Sequence, residues 1–157
     1  MEQTMIDQPS WCKVAEVELV YKTKVKASER LCVRSSHDSY CILKEIWDEN
    51  KINMFEQFKV LLLNRANRVV GVYQASSGGI TGTIADSRLI LATAIKSLAV
   101  SIILSHNHPS GNLKPSVADQ DLTFKIKSAC QYHDIKVLDH IIVTSEGYYS
   151  FADEGLI

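Results

Sequence analysis

The chain has 157 residues, of which 46% are hydrophobic and 22% are charged, and its formal net charge is −1. These values are typical of a globular protein, so they exclude an intrinsically disordered chain and predict one compact domain. The near-zero net charge excludes a long-range attraction of the whole molecule to nucleic acid, so any DNA contact would need a local basic patch.

The N-terminal part of the chain, residues 1–29, predicts a tail followed by a strand. Residues 1–12 carry polar residues and Pro9 and show no periodicity, whereas residues 14–21 have the alternating and β-branched character of a strand. A short basic run follows, made of Lys22, Lys24, Lys26 and Arg30. Alternating lysines commonly protect a sheet edge, and the same run is the candidate for a DNA contact.

The rest of the chain, residues 30–157, predicts a single domain of strands and helices. Strands are predicted at 30–34, 57–63, 68–75, 100–105, 137–144 and 147–151, and helices at 37–49 (with Ser36 as N-cap), 86–99 and 116–133. The helix at 86–99 is apolar nearly all round, so we expect it to be buried. The strand at 57–63 is almost continuously apolar and favours a central place in a sheet. This mixture predicts an α/β fold.

A motif at residues 105–119 predicts a metal site. His106 and His108 follow a buried strand, and in extended backbone residues two apart point to the same side, so both imidazoles can face one point. Gly111 allows a tight reversal that brings Asp119, at the start of the next helix, back over the histidines. Two imidazoles and a carboxylate give zinc three protein ligands and leave one position for water, as in catalytic sites. We expect one Zn²⁺ per chain.

Glu56 and Ser116 are the candidate catalytic residues. Glu56 shares strand parity with Phe58 and Val60, which predicts a carboxylate on an apolar face, suited to take up and return a proton as general base and acid. Ser116 can donate a hydrogen bond to the oxyanion of a tetrahedral intermediate. The predicted chemistry is attack of a metal-activated water on an amide carbonyl.

Each of these residues also has an ordinary structural interpretation. Ser116 and Asp119 fit a helix capping box, the two motif histidines can be loop residues bonded to backbone, and Glu56 can be an edge acid. The combination favours the metal site, because the separate features converge on one point. The other histidines are expected to lie outside the site, one at a helix start and two as surface or core residues: His37, His133 and His140.

The cysteines and the start of the chain predict a cytoplasmic protein. The four cysteines form no CxxC pair and fit small buried side chains in a reducing compartment. The first residues have no charged segment followed by an apolar segment and a cleavage site. Apolar runs stay far below the roughly 20 residues that cross a bilayer, so we expect no membrane partner.

The site residues together resemble a known family. Glu56, His106-x-His108 and Ser116-x-x-Asp119 match the JAMM pattern of the MPN-plus metalloproteases at every position. The surrounding residues resemble the RadC-like JAB domain over residues 30–157, in the segments Ser105-His106-Asn107-His108-Pro109-Ser110-Gly111, Leu138-Asp139-His140 and Tyr149-Ser150-Phe151.

The resemblance implies a cytidine-deaminase-like α/β sandwich, with a mixed central sheet flanked by helices. It implies zinc held by His106, His108 and Asp119, with Glu56 as general base and acid and Ser116 as oxyanion donor. It further implies a peptidase or isopeptidase reaction on a peptide or protein substrate, without specifying which one.

The RadC-like group also carries a DNA-repair label, which supplies a second hypothesis. The chain would then be a DNA-associated accessory protein with a non-catalytic or vestigial metal site, and the basic run would contact DNA. Longer members of the group carry a helix-hairpin-helix region ahead of the domain, whereas residues 1–29 predict only a tail and a strand. This difference favours the metallohydrolase as the first hypothesis.

Overall fold

A computed structural model describes residues 21–78 and 84–157 of the chain. Three α-helices and five strands occur in these ranges, after a 3₁₀ turn at Ala27–Glu29. In chain order they are α1 (Ser36–Ile46), β1 (Gln57–Leu63), β2 (Val69–Ser77), α2 (Ser87–Lys96), β3 (Ser101–Asn107), α3 (Val117–Gln131), β4 (Lys136–Val143) and β5 (Tyr148–Ser150). No helix in these ranges is long and apolar enough to cross a membrane.

The five strands form one mixed sheet in the order β2-β1-β3-β4-β5. β1 pairs antiparallel with both β2 and β3, β3 and β4 are parallel, and β4 pairs antiparallel with β5. Every residue of β1 and β3 is buried, as expected for strands inside a sheet with both faces covered. The α3 helix connects the parallel pair, which cannot be joined by a short turn. The predicted α/β fold with a mixed central sheet is confirmed.

Two hydrophobic cores cover the two faces of the sheet. On one face, α2 and α3 bury side chains such as Ile90 and Ile126 against the even-numbered residues of β1 and the apolar even-numbered residues of β3. On the other face, α1 packs Leu43 and Trp47 against odd-numbered residues of the same strands. The alternation of side chains along a strand thus decides which core each residue joins, and His106 lies on the even-numbered face with α2 and α3.

The predicted strand at 30–34 is wrong, because this segment forms only a single bridge between Cys32 and Arg68. Two backbone hydrogen bonds flank the bridge, and the chain then turns into α1 at its N-cap Ser35, which leaves no length for a strand. The Ser35 hydroxyl accepts from the backbone N–H of Asp38, so the cap lies one residue before the predicted Ser36. The strand predicted at 14–21 falls, except for its last residue, outside the described ranges.

The prediction of a fully buried helix at 86–99 is also wrong. The α2 helix ends at Lys96, and only Ile90 and Ala94 are buried along it. Leu89 is 52% exposed and Leu98, just past the helix end, is 76% exposed. The physical reason is that α2 lies in an outer layer, so that one side faces the sheet and α3 while the other faces solvent.

Candidate metal centre

The three predicted metal ligands meet at the carboxyl end of β3. His106 is in β3, His108 follows the strand, and Asp119 is in the first turn of α3. The Nε2 atoms of His106 and His108 lie 3.0 Å apart. Asp119 Oδ1 lies 3.4 Å from Nε2 of His106, and Asp119 Oδ2 lies 3.8 Å from Nε2 of His108. One donor atom from each residue therefore falls within 4.8 Å of the others.

These separations fit a zinc ion. Tetrahedral coordination at bond lengths of about 2.0–2.1 Å spaces the donor atoms roughly 3.3 Å apart. The separation of the two Nε2 atoms, 3.0 Å, and that of His106 Nε2 from Asp119 Oδ1, 3.4 Å, are both close to that value. Two imidazoles and one carboxylate are also a donor set that zinc accepts readily. The side chains present therefore suit one zinc ion.

The loop after β3 brings α3 back over the histidines. The backbone N–H of His108 donates to the carbonyl of Val143 at 3.1 Å, and the N–H of Gly111 donates to the carbonyl of His108 at 3.0 Å. Gly111 has φ +77°, a conformation that residues with a side chain rarely adopt, and no heavy atom lies within 4 Å of an added Cβ. Glycine is thus needed here for its backbone, as the sequence predicted.

The capping box and the metal site use the same carboxylate. Asp119 Oδ2 accepts from the backbone N–H of Ser116 at 2.7 Å, and the Ser116 hydroxyl oxygen accepts from the N–H of Asp119 at 3.1 Å. The two interpretations of this motif are therefore compatible, because the cap fixes the orientation of the Asp119 carboxylate while Oδ1 faces His106. The hydroxyl hydrogen of Ser116 takes no part in the box.

Electrostatics hold Asp119 ionised. Burial acts to raise the pKa of its carboxyl, but the attraction of the His106 and His108 rings outweighs burial, and the pKa lies well below its usual range. The nearby Asp119 carboxylate in turn raises the pKa of His108, against the effect of burial. The site thus carries a fixed negative charge facing two ring nitrogens, which attracts a cation.

Glu56 lies beside this group, immediately before β1. It is half-buried, and burial raises the pKa of its carboxyl while the positive character of His106 and His108 lowers it. Glu56 therefore interacts electrostatically with the three candidate ligand residues. Ser116 is hydrogen-bonded to Asp119, and the catalytic roles of Ser116 and Glu56 stay predictions.

Comparison with known proteins identifies the family. Residues 33–156 match the family model described as RadC-like JAB domain. The chain belongs to this family. A UPF0758 protein of Flavobacterium johnsoniae is 47% identical over 124 residues, which are 79% of this chain and 53% of that protein. A UPF0758 protein of Variovorax paradoxus is 35% identical over 147 residues, which are 92% of this chain and 65% of that protein. The chain spans about half to two thirds of the length of these relatives.

Asn107 is a residue of this RadC-like JAB domain that the sequence analysis missed. It lies between the two histidines in sequence, is fully buried, and donates from Nδ2 to the carbonyls of Ile52 at 2.7 Å and Phe55 at 3.0 Å. Its Oδ1 accepts from the backbone N–H of Gln57 at 2.7 Å. The three bonds go to backbone at residues 52, 55 and 57, on both sides of Glu56, so Asn107 fixes the segment that carries Glu56.

His140 is the second missed residue. It is fully buried, and its Nε2 lies 2.7 Å from Nδ1 of His106. Burial lowers the pKa of His140 well below its ordinary value. From the sequence, His140 was expected to be a surface or core residue outside the site, and its link to His106 depends on a bulge that the sequence does not reveal. The register between β3 and β4 shifts between Ile102 and Ile103, which leaves Leu138 as an extra residue and reverses the alternation beyond it.

Proposed function

We propose that this RadC-like JAB domain is a zinc-dependent metallohydrolase of peptidase or isopeptidase type. The observation that carries the proposal is the convergence of His106, His108 and Asp119, whose donor atoms have the spacing of a tetrahedral zinc site. When bound, zinc supplies a Lewis acid that lowers the pKa of water and polarises a carbonyl. Three protein ligands leave room for substrate, which favours a catalytic over a structural site.

Glu56 is assigned the proton transfers. Its half-buried carboxyl has a raised pKa, and a general base and acid works best when its pKa lies closer to the operating pH. It would take a proton from the attacking water and return it to the leaving amine. The three hydrogen bonds between the Asn107 side chain and the backbone around Glu56 support this assignment, because proton transfer requires a carboxylate held in place.

Ser116 is assigned to the oxyanion. Its hydroxyl oxygen accepts from Asp119 in the capping box, and its hydroxyl hydrogen is therefore available to a substrate oxygen. Because the same box orients Asp119, Ser116 would support both the metal and the oxyanion.

The test compares three variants with the wild type. Zinc per chain is measured by elemental analysis, and hydrolysis is measured on a panel of peptides and of lysine-linked isopeptides. We expect about one zinc in the wild type and in Glu56→Gln, and loss of zinc in His106→Ala and Asp119→Asn. Hydrolysis should be lost in all three variants. Retention of both zinc and hydrolysis by Glu56→Gln and Asp119→Asn together contradicts the proposal.

A DNA-associated role is the second candidate, and it rests on the exposure of Lys22, Lys24 and Lys26. Arg30 is half-buried, so the lysines would carry most of the contact. Replacing all four by glutamine should abolish salt-sensitive binding to duplex DNA. Binding that is absent in the wild type, or unchanged in the variant, removes this candidate.

The domain limits and the location are further proposals. We assign residues 30–157 to the JAB domain and residues 1–29 to a tail and strand. We also propose a cytoplasmic location, which is supported by free thiols at Cys32, Cys41 and Cys130.

A further inference from the structure

A continuous chain of hydrogen bonds runs from the backbone of α3 to the ligand His106. Thr123 Oγ1 lies 2.6 Å from the carbonyl oxygen of Asp119 and 2.5 Å from Nδ1 of His140. His140 Nε2 lies 2.7 Å from Nδ1 of His106. Thr123, His140 and His106 are only 3%, 0% and 1% exposed, so water does not compete for these bonds.

The proton positions along this chain follow from its first link. A carbonyl oxygen only accepts, so an O···O separation of 2.6 Å requires the single Thr123 hydroxyl hydrogen to lie between Thr123 and Asp119. Thr123 Oγ1 must then accept from His140, whose proton is on Nδ1. A neutral imidazole has one N–H, so Nε2 of His140 carries a lone pair and accepts from Nδ1–H of His106.

His140 is held neutral and in one orientation by apolar neighbours. Its ring stacks on Phe151 at a centroid separation of 4.6 Å and meets the edge of Phe58 at 5.5 Å. A charged imidazolium enclosed between two aromatic side chains and without exposure would be costly. The ring therefore stays neutral and in the plane that links Thr123 to His106.

The last link determines what His106 presents to the metal site. With its proton on Nδ1, His106 turns the lone pair of Nε2 toward His108. Nδ1 of His108 lies 2.5 Å from the carbonyl oxygen of Asn112 and must donate to it, so in the neutral ring Nε2 of His108 also carries a lone pair. Two lone pairs 3.0 Å apart repel each other unless a cation lies between them.

We propose that Thr123 and His140 are positioning residues that hold His106 in the tautomer whose Nε2 binds metal. The inference rests on the zinc site of the proposed function and adds two residues that act through His106. Without the Thr123 hydroxyl, the Nδ1–H of His140 has lost its hydrogen-bond acceptor. It can then donate from Nε2 to His106, which moves the His106 proton to Nε2 and blocks the ligand position.

The first measurement reads the tautomers directly. Long-range ¹H–¹⁵N correlation spectra of the ¹⁵N-labelled, metal-free wild type distinguish Nδ1–H from Nε2–H in neutral rings. We expect the Nδ1–H tautomer for both His106 and His140. The Nε2–H tautomer in either ring overturns the inference, and this readout needs neither zinc nor a substrate.

The second measurement uses variants of almost unchanged shape. Thr123→Val removes only the hydroxyl and should weaken zinc binding roughly 10–100-fold in competition with a chromophoric chelator. Thr123→Ser restores the hydroxyl and should return zinc affinity close to the wild-type value. The control is Ser39→Ala in α1, because buried Ser39 also donates to the carbonyl four residues earlier, at Ser35, but lies on the other face of the sheet.

The outcomes separate this inference from the proposed function. Unchanged zinc affinity in Thr123→Val, or an equal loss in Ser39→Ala, overturns the positioning role even if the wild type is an active zinc hydrolase. A wild type that binds no zinc overturns the proposed function, and the positioning of a metal ligand with it. The tautomers in the metal-free protein then still decide whether Thr123 sets the proton on His106.

Discussion

The Asn107 side chain accepts a hydrogen bond from the backbone N–H of Gln57 at 2.7 Å, and it does so from the last residue of β3, between His106 and His108. Side chains alternate along β3, so His106 and His108 face one side while Asn107 faces the other. The end of β3 therefore positions both histidines and, through Asn107, the segment containing Glu56. The position of Glu56 relative to the two histidines is thus set within one rigid unit.

Replacing Asn107 should affect stability and hydrolysis but not zinc content. Asn107→Ala removes three buried hydrogen bonds of about 0.5–1.5 kcal/mol each, so we expect a loss of about 2–4 kcal/mol in the free energy of unfolding. Hydrolysis should fall because Glu56 is no longer held, while zinc per chain stays near one. Denaturant unfolding and elemental analysis measure the two effects.

Asn64→Ala is the control for Asn107. The Asn64 side chain also accepts backbone hydrogen bonds, from Ala66 and Arg68, but in the hairpin turn at the opposite end of β1. It should lower stability without changing hydrolysis per folded molecule. If Asn107→Ala keeps wild-type hydrolysis at a temperature where it is folded, the hydrogen bonds of Asn107 are not needed to position Glu56.

Removing the Ser116 hydroxyl should weaken zinc binding without abolishing it. Ser116→Ala loses the helix cap, which typically costs about 1 kcal/mol, but its backbone N–H still donates to Asp119. Zinc affinity should therefore fall less than in Asp119→Asn. Ser35→Ala removes the equivalent cap of α1 and should cost similar stability with no change in zinc affinity. Equal zinc loss in both cap variants would falsify a specific role for Ser116.

The ligand set was predictable from sequence because it is local. His106, His108 and Asp119 lie within one short segment, where strand alternation and a helix start fix their directions. The contact of His106 with His140 spans 34 residues and depends on the bulge at Leu138, which no alternation pattern reveals. The hydrogen bond between Gln57 and Asn107 joins residues that are 50 positions apart. Its donor is a backbone N–H, so the type of residue at position 57 does not reveal it.

In the fold, too, local features were predictable from the sequence and long-range features were not. Apolar runs predicted the strands at the centre of the sheet, because burial on both faces leaves little choice of residue. The exposure of Leu89 and Leu98 was not predictable, since it depends on the number of layers and not on the helix itself.

Replacing Gly111 should disturb His108 through backbone strain. Its φ of +77° and the open space around it mean that Gly111→Ala adds strain of about 1–2 kcal/mol without a clash. Because the N–H of Gly111 bonds to the carbonyl of His108, relaxation of the loop should move the ligand and lower zinc affinity. Gly155 has φ +72° and equally open surroundings, so Gly155→Ala is the matched control and should affect stability alone. Similar zinc affinities in the two variants would show that the loop tolerates the change.

Zinc should stabilise the folded protein through Asp119. A ligand present at 100 times its dissociation constant adds about 2.7 kcal/mol to the free energy of unfolding. For a domain of this size that corresponds to an increase in Tm of roughly 5–10 °C, which a chelator should reverse. Mg²⁺ should have little effect, because it prefers oxygen ligands over imidazole.

The control variant is Asp119→Asn. It keeps an oxygen that can accept from Ser116 but lacks the charge, so its Tm should not respond to zinc. An equal increase in Asp119→Asn means that zinc binds elsewhere, for which His37 and Cys41, 3.5 Å apart on α1, are the first residues to replace.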